Sequence, residues 1–156
     1  MLSETTKKTV AMEQMAPLIA EILNEGRKAQ FVMTGNSMMP MLCHRKDVVV
    51  LEAVKPEEIE KYDVIFYRRD NGAYILHRVV KTEKDELTLC GDGQYKIEKG
   101  VSRSSVIGRL TGFYSHKAPD KFISIKSKGR RIRAAIWVNT RGIRYFFFRV
   151  KRRLTQ

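Results

Sequence analysis

The 156-residue sequence predicts a mainly β fold, a small barrel or folded sheet, with an N-terminal amphipathic helix and a C-terminal basic helix. Three observations predict it. Between residues 29 and 126, short runs rich in Val, Ile, Leu, Tyr and Phe alternate with turn signals. On either side of that stretch, apolar residues recur three and four apart, the period of one helical face. Charge is divided in the same way. Residues 1–120 carry 18 Lys and Arg against 17 Asp and Glu, whereas residues 121–156 carry 12 and none. The net charge of +13 therefore belongs almost wholly to the C-terminal segment.

The elements follow in order. Residues 1–9 are polar and expected to fray. From Ala11 to Asn24, the residues Met12, Met15, Leu18, Ile19, Ile22 and Leu23 form one helical stripe. Gly26 ends it, and Pro17 limits the helix or starts its main part. Strands are predicted over residues 30–33, 47–54, 63–68, 74–80, 86–90, 105–114 and 121–125. Asn71-Gly72 between two of these runs is a hairpin signal, and Gly91-Asp92-Gly93 marks a further turn. After Gly129 the helical period returns through Ile132, Ile136, Ile143, Phe146, Phe147, Val150 and Leu154, with Gly142 as a point of interruption. The organisation expected is a helical segment over 1–28, a β-rich domain over 29–126 and a basic amphipathic tail over 127–156.

Several classes are excluded. At 43% hydrophobic, the chain has the apolar content of a packed core rather than of a disordered polymer. No apolar run approaches the roughly 20 residues that span a bilayer. The richest, residues 134–150, is broken by Arg141 and Arg144. The N-terminus does not read as a secretory signal, because Glu13, Gln14, Pro17 and Glu21 interrupt its apolar stretch. A cytoplasmic location is expected on that ground. Cys43 and Cys90 match neither a zinc spacing nor a CxxC motif, so they are expected to be buried reduced thiols. No metal or cofactor is expected.

Two residues stand out as candidate chemistry. Ser37 lies in Thr34-Gly35-Asn36-Ser37-Met38-Met39-Pro40, just after a predicted strand. A serine in a turn before a proline needs no function, and a serine nucleophile needs a base. His77 lies within the predicted strand over 74–80, on the same face as Ile75 and Val79. A lone histidine there is commonly a packed core residue. Imidazole, with a pKa near 6.5, is also suited to take a serine proton at neutral pH. A third group would orient the ring, and Asp92 and Glu98 are the nearest carboxylates that follow.

These segments occur in a telling order. Gly35-Asn36-Ser37-Met38-Met39-Pro40, then His77-Arg78-Val79-Val80, then Gly91-Asp92-Gly93-Gln94 resembles the signal peptidase I and LexA-like serine peptidase superfamily, over about residues 29–114. The family blocks are G-x-S-M-x-P, a base followed by R-V, and G-D-x-N. The resemblance implies a β-rich peptidase fold in which Ser37 is the nucleophile and His77 the general base. The histidine is similar to the endoplasmic-reticulum-type branch; most bacterial relatives carry lysine there. Glu98 resembles the acid of that branch, and Asp92 a residue that shapes the site. The resemblance also implies an oxyanion hole including the Ser37 N–H, with Gly35, Met38 and Met39 beside the substrate. The chain departs from the family at Lys46-Asp47 and Tyr62-Asp63, where glycines usually precede the aspartates, and at Gln94. The amphipathic stretch over 11–24 stands where the family has a transmembrane anchor.

The expected activity is therefore serine endopeptidase cleavage of a leader or precursor peptide through an acyl-enzyme. The alternative is a leader-peptide-binding module on the same fold that does not cut. Self-cleavage of the LexA type would need more than the roughly 30 residues before the first strand. For the tail, a basic helix with aromatic residues fits an anionic membrane surface, with Trp137, Arg141, Phe147 and Lys151 as contacts. A helix docking its apolar stripe on the body is the rival reading. Nucleic acid is disfavoured, because no helix-turn-helix, zinc or RNA-binding motif accompanies the charge.

Overall fold

The computed structural model describes residues 12–32 and 34–154, without the side chains of Arg152 and Leu154. The fraying of residues 1–9, the helix start at Ala11 and the strand position of Met33 lie outside the described residues.

Helix α1 spans Met12–Asn24 and buries Ala16, Ile19 and Leu23. Leu18 belongs to the predicted stripe but points to solvent at 58% exposure. Ala16, absent from that stripe, takes a core position instead. Pro17 sits inside the helix, where it withholds one N–H but does not stop the chain. Termination falls at Gly26, whose φ of +75° lets its N–H reach Leu23 O at 3.0 Å while Arg27 N–H reaches Ile22 O at 3.1 Å.

Eight antiparallel strands follow: β1 Ala29–Val32, β2 Val48–Glu52, β3 Val64–Arg68, β4 Tyr74–Thr82, β5 Glu86–Cys90, β6 Glu98–Ser102, β7 Val106–Ser115 and β8 Ala118–Ser124. Their order is β1-β2-β7-β3-β4-β5-β6, with β8 also paired to β7. The path does not close, so the architecture is a folded open sheet rather than a sealed barrel. Strand β6 is the one missed in the sequence. Its Glu98-Lys99-Gly100-Val101-Ser102 has a single apolar side chain to bury, and pairing with β5 defines it.

Strand β7 is the spine of the sheet. One edge pairs with β2, and the other pairs with β3 near Arg109 and with β8 beyond Gly112. Gly108 in β7 leaves room for α1: a Cβ there would lie 2.6 Å from Leu23 Cδ1. Both sheet faces carry apolar cores. One joins α1 to Phe31, Leu42, Phe66, Leu76, Leu110 and Phe113. The other gathers Ile65, Tyr67, Val79, Leu87, Leu89 and Val101. Successive side chains of a strand point to opposite faces, so β4 sends Leu76 to the first core and Val79 to the second.

The C-terminal region forms α2 Lys128–Asn139 and α3 Arg141–Leu154. The break falls at Thr140, which takes a non-helical position, and Gly142 is accommodated in the first turn of α3. Among the described residues, no helix is long and apolar enough to cross a membrane.

Candidate functional site

Ser37 stands in the turn between β1 and β2. Gly35 adopts φ +95° and its N–H donates to His44 Nδ1 at 2.6 Å. Met39 N–H returns to Asn36 O at 3.1 Å, and Leu42 N–H to Met38 O at 3.0 Å. Met38 is thereby driven fully into the core beneath the turn. It anchors the serine loop and offers no surface to a substrate, contrary to the sequence expectation. Met39 is exposed at 41%.

The turn after β5 closes over this loop. Gly93 N–H donates to Ser37 O at 2.8 Å. A Cβ on Gly91 would lie 2.5 Å from Ser37 O and 3.1 Å from His77 Nε2. Gly91 therefore occupies the narrow space between the serine backbone and the imidazole, and only glycine fits. Neither the Ser37 N–H nor its hydroxyl hydrogen-bonds to another described residue, so no Ser37–His77 hydrogen bond is formed.

His77 projects from the middle of β4 and is 2% exposed. Its Nδ1 lies 3.4 Å from the Tyr67 hydroxyl on neighbouring β3. That hydroxyl donates to Glu98 Oε2 at 2.8 Å, and Arg69 holds the same carboxylate at 2.7–3.0 Å. Tyr67 has one proton, and it goes to the carboxylate. Its oxygen is left to accept from Nδ1–H, which assigns the tautomer with Nε2 bare toward Gly91 and Ser37. Glu98 thus reaches the histidine through a tyrosine, a link invisible in sequence because Tyr67 belongs to none of the recognised blocks.

Electrostatics follow from burial. Burial, and then the Arg69 charge, push the His77 pKa down to about 4, against opposing pulls from Glu98 and Asp92. Burial alone would raise the Glu98 carboxyl, but hydrogen bonds from Arg69 and Tyr67 outweigh it and hold it below its usual range. Burial and the Glu98 carboxylate raise the Tyr67 phenol, so it stays protonated.

Asp92 is elsewhere. Both its oxygens accept from Arg78, at 2.7 and 2.6 Å, and the pair is buried. Arg78 also donates to Tyr62 O at 2.9 Å. The second and third sequence blocks are thus locked together by an ion pair that fixes the Gly91–Gly93 turn. The aspartates of the two departing pairs are pins as well. Asp63 accepts from Glu60 N–H at 3.0 Å and from Arg109 at 3.3 Å. Asp47 accepts from Cys43 N–H at 2.8 Å and from His116, whose Nδ1 lies at 2.8 Å. Cys43, Asp47 and His116 cluster closely, but those hydrogen bonds already occupy the carboxylate. Tyr62 stands at φ +77°, a conformation that favours the glycine expected before Asp63. Cys90 is buried, Cys43 half-buried, and both are free thiols.

The basic tail docks by a face of aromatic and guanidinium groups. Trp137 Nε1–H donates to Asp92 O at 3.0 Å, and the Arg144 guanidinium stacks 3.6 Å from the indole centroid. Tyr145 and Phe148 pack on Tyr95 at 5.0 and 5.4 Å. Trp137 and Arg141 are half-buried, so they are docking residues more than free surface. The opposite face of α3 carries Ile143, Phe146 and Phe147, each more than 60% exposed, and Lys151 is exposed too. On α2, Ile132 and Ile136 are similarly exposed. The apolar stripe therefore faces away from the body, contrary to the docked-stripe reading.

Compared with protein families, curated proteins and solved structures, the chain matches none.

Proposed function

We propose that this chain is a serine endopeptidase acting on a leader or precursor peptide. The observation that carries the reading is the Gly91–Gly93 turn, which grips the Ser37 carbonyl and brings the bare His77 Nε2 to the same small space. In this reading His77 Nε2 takes the Ser37 hydroxyl proton as Oγ bonds to the scissile carbonyl carbon. The Ser37 N–H, which has no described partner, receives the developing oxyanion. The proton then passes from Nε2 to the leaving amine as the C–N bond breaks, and water repeats the sequence to release the acyl group. Tyr67, backed by Glu98, keeps the ring in the required tautomer and stabilises the imidazolium. Strand β1 is a sheet edge leading directly into the serine loop, suited to an extended substrate adding as a strand.

A serine-reactive phosphonate probe tests the reading. It is expected to label the wild-type chain and not Ser37→Ala, and the same variant is expected to lose cleavage of a leader-type peptide while remaining folded. Equal labelling or equal turnover of the two proteins overturns it. The absent Ser37–His77 hydrogen bond favours the second reading, a peptide-binding module that does not cut. Peptide binding without labelling would establish that one.

We further assign the outward face of α2 and α3 to an anionic membrane surface, with the chain peripheral at the cytoplasmic face. The support is an exposed apolar stripe on two helices that together carry 10 basic residues and no acids. Co-sedimentation with phosphatidylglycerol vesicles at low salt is expected, and its loss in Phe146→Ser/Phe147→Ser. Absence of binding by the wild type removes the assignment.

A further inference from the structure

A cavity of about 430 Å³ opens where β7 passes from its partner β3 to its partner β8, roofed by α2. It lies outside the Ser37–His77 site but touches it. Pro40 and Met41 of the serine loop form one wall, and Asp92 of the closing turn another. Leu110, Ile125 and the Trp137 ring make part of the lining apolar.

The charged lining is unbalanced. Six basic side chains contribute, Arg78, Arg109, Lys126, Arg130, Arg131 and Arg133, against the acids Asp63 and Asp92. Four of the six have carboxylate partners. Arg78 is held by Asp92, and Arg109 by Glu52 and Asp63. Lys126 pairs with Glu52, and Arg131 with Glu60. Arg130 and Arg133 have no carboxylate partner among the described residues. Both lie in the first half of α2. Guanidinium groups over a partly apolar floor suit a carboxylate carried on an apolar chain.

We propose that this cavity binds an acidic, partly apolar peptide segment, with its carboxylates held by Arg130 and Arg133. Its position beside the serine loop makes it a specificity pocket for residues flanking the cleaved bond; this rests on the peptidase reading only for that consequence. The volume falls in the range of ligand sites and exceeds what one side chain fills, so a short segment is accommodated.

Trp137, the single tryptophan, lines the cavity and reports its occupancy. The full chain is titrated with a short blocked peptide of alternating Glu and Leu, with its Gln–Leu counterpart, with inorganic phosphate and with glycerol phosphate. Trp137 emission and binding heat are read together. The Glu peptide is expected to bind saturably and at least about tenfold more tightly than the Gln peptide, and Arg130→Gln/Arg133→Gln is expected to abolish the difference. Equal binding of the two peptides, or neither a fluorescence change nor a heat, overturns the proposal. Tighter binding of the phosphates than of the Glu peptide overturns it in favour of a small-anion site. Because the readout is binding, acid-selective binding without cleavage would retain the pocket and reject the peptidase.

Discussion

His77 and Arg78 are neighbours on β4 and occupy opposite chemical worlds. On the His77 face, one ionisable ring is buried beside Tyr67, and its full charge partner is kept a tyrosine away. On the Arg78 face, a permanent charge is buried directly against Asp92 with two short hydrogen bonds. Burial without a direct counter-ion keeps the histidine neutral, whereas the arginine is buried with its counter-ion in a fixed two-bond geometry. The two carboxylates offered by the sequence thus divide. Glu98 connects to the ring through Tyr67, and Asp92 pairs with Arg78.

The sharpest way to break that contrast is Asp92→Ala. It leaves Arg78 buried and unpaired, and a stability loss of about 3–5 kcal/mol is expected in denaturant titration. Glu98→Gln, whose Arg69 partner is about a third exposed, is expected to lose no more than about 1 kcal/mol in the same measurement. A comparable loss in both variants would erase the distinction between them.

The next effect is on pH. The native His77 pKa of about 4 lies below the unfolded value near 6.5, so the unfolded chain binds the extra proton first. The contribution of the neutral ring is complete above about pH 6.5 and is lost progressively as the pH falls toward 4, by up to about 3 kcal/mol. Denaturation midpoints at pH 7 and pH 5 are expected to differ less in His77→Gln than in the wild type. The proposed activity is expected to hold down to about pH 5, with an acid limb near 4 rather than 6.5.

Gly91→Ala probes the junction of the two faces. A methyl group 2.5 Å from Ser37 O must displace the serine loop, and a loss of at least about a hundredfold in kcat/KM is expected with the Arg78–Asp92 pair intact. Smaller still is Tyr67→Phe, which removes the link between His77 and Glu98. A fall of about tenfold in kcat with KM unchanged is expected. Unchanged kcat would show that the tyrosine only fills space.

Strands with their own apolar content were legible in the sequence, and β6 was not, because its identity comes from pairing with β5. Ser37, His77 and the closing turn were legible as ordered blocks. Tyr67 was not, because a tyrosine in an apolar strand looks like any core residue until a carboxylate arrives from 31 positions away. The helices α2 and α3 were legible by period, but not the side they would present. Period reports that a stripe exists, and only packing decides what it meets.

By itself the sequence determined the mainly β class, the two flanking helical regions, the segregation of charge and the pairing of Ser37 with His77 as candidates. These depend on local spacing and composition, which every stretch of chain carries within itself. The tertiary structure decided that Asp92 pairs with Arg78, that Glu98 reaches His77 through Tyr67, that Met38 is buried beneath the serine loop, and that α3 turns Ile143, Phe146 and Phe147 outward. Each of these depends on which distant side chain reaches a buried polar group or an apolar face first, and that competition is settled only when the whole sheet is assembled.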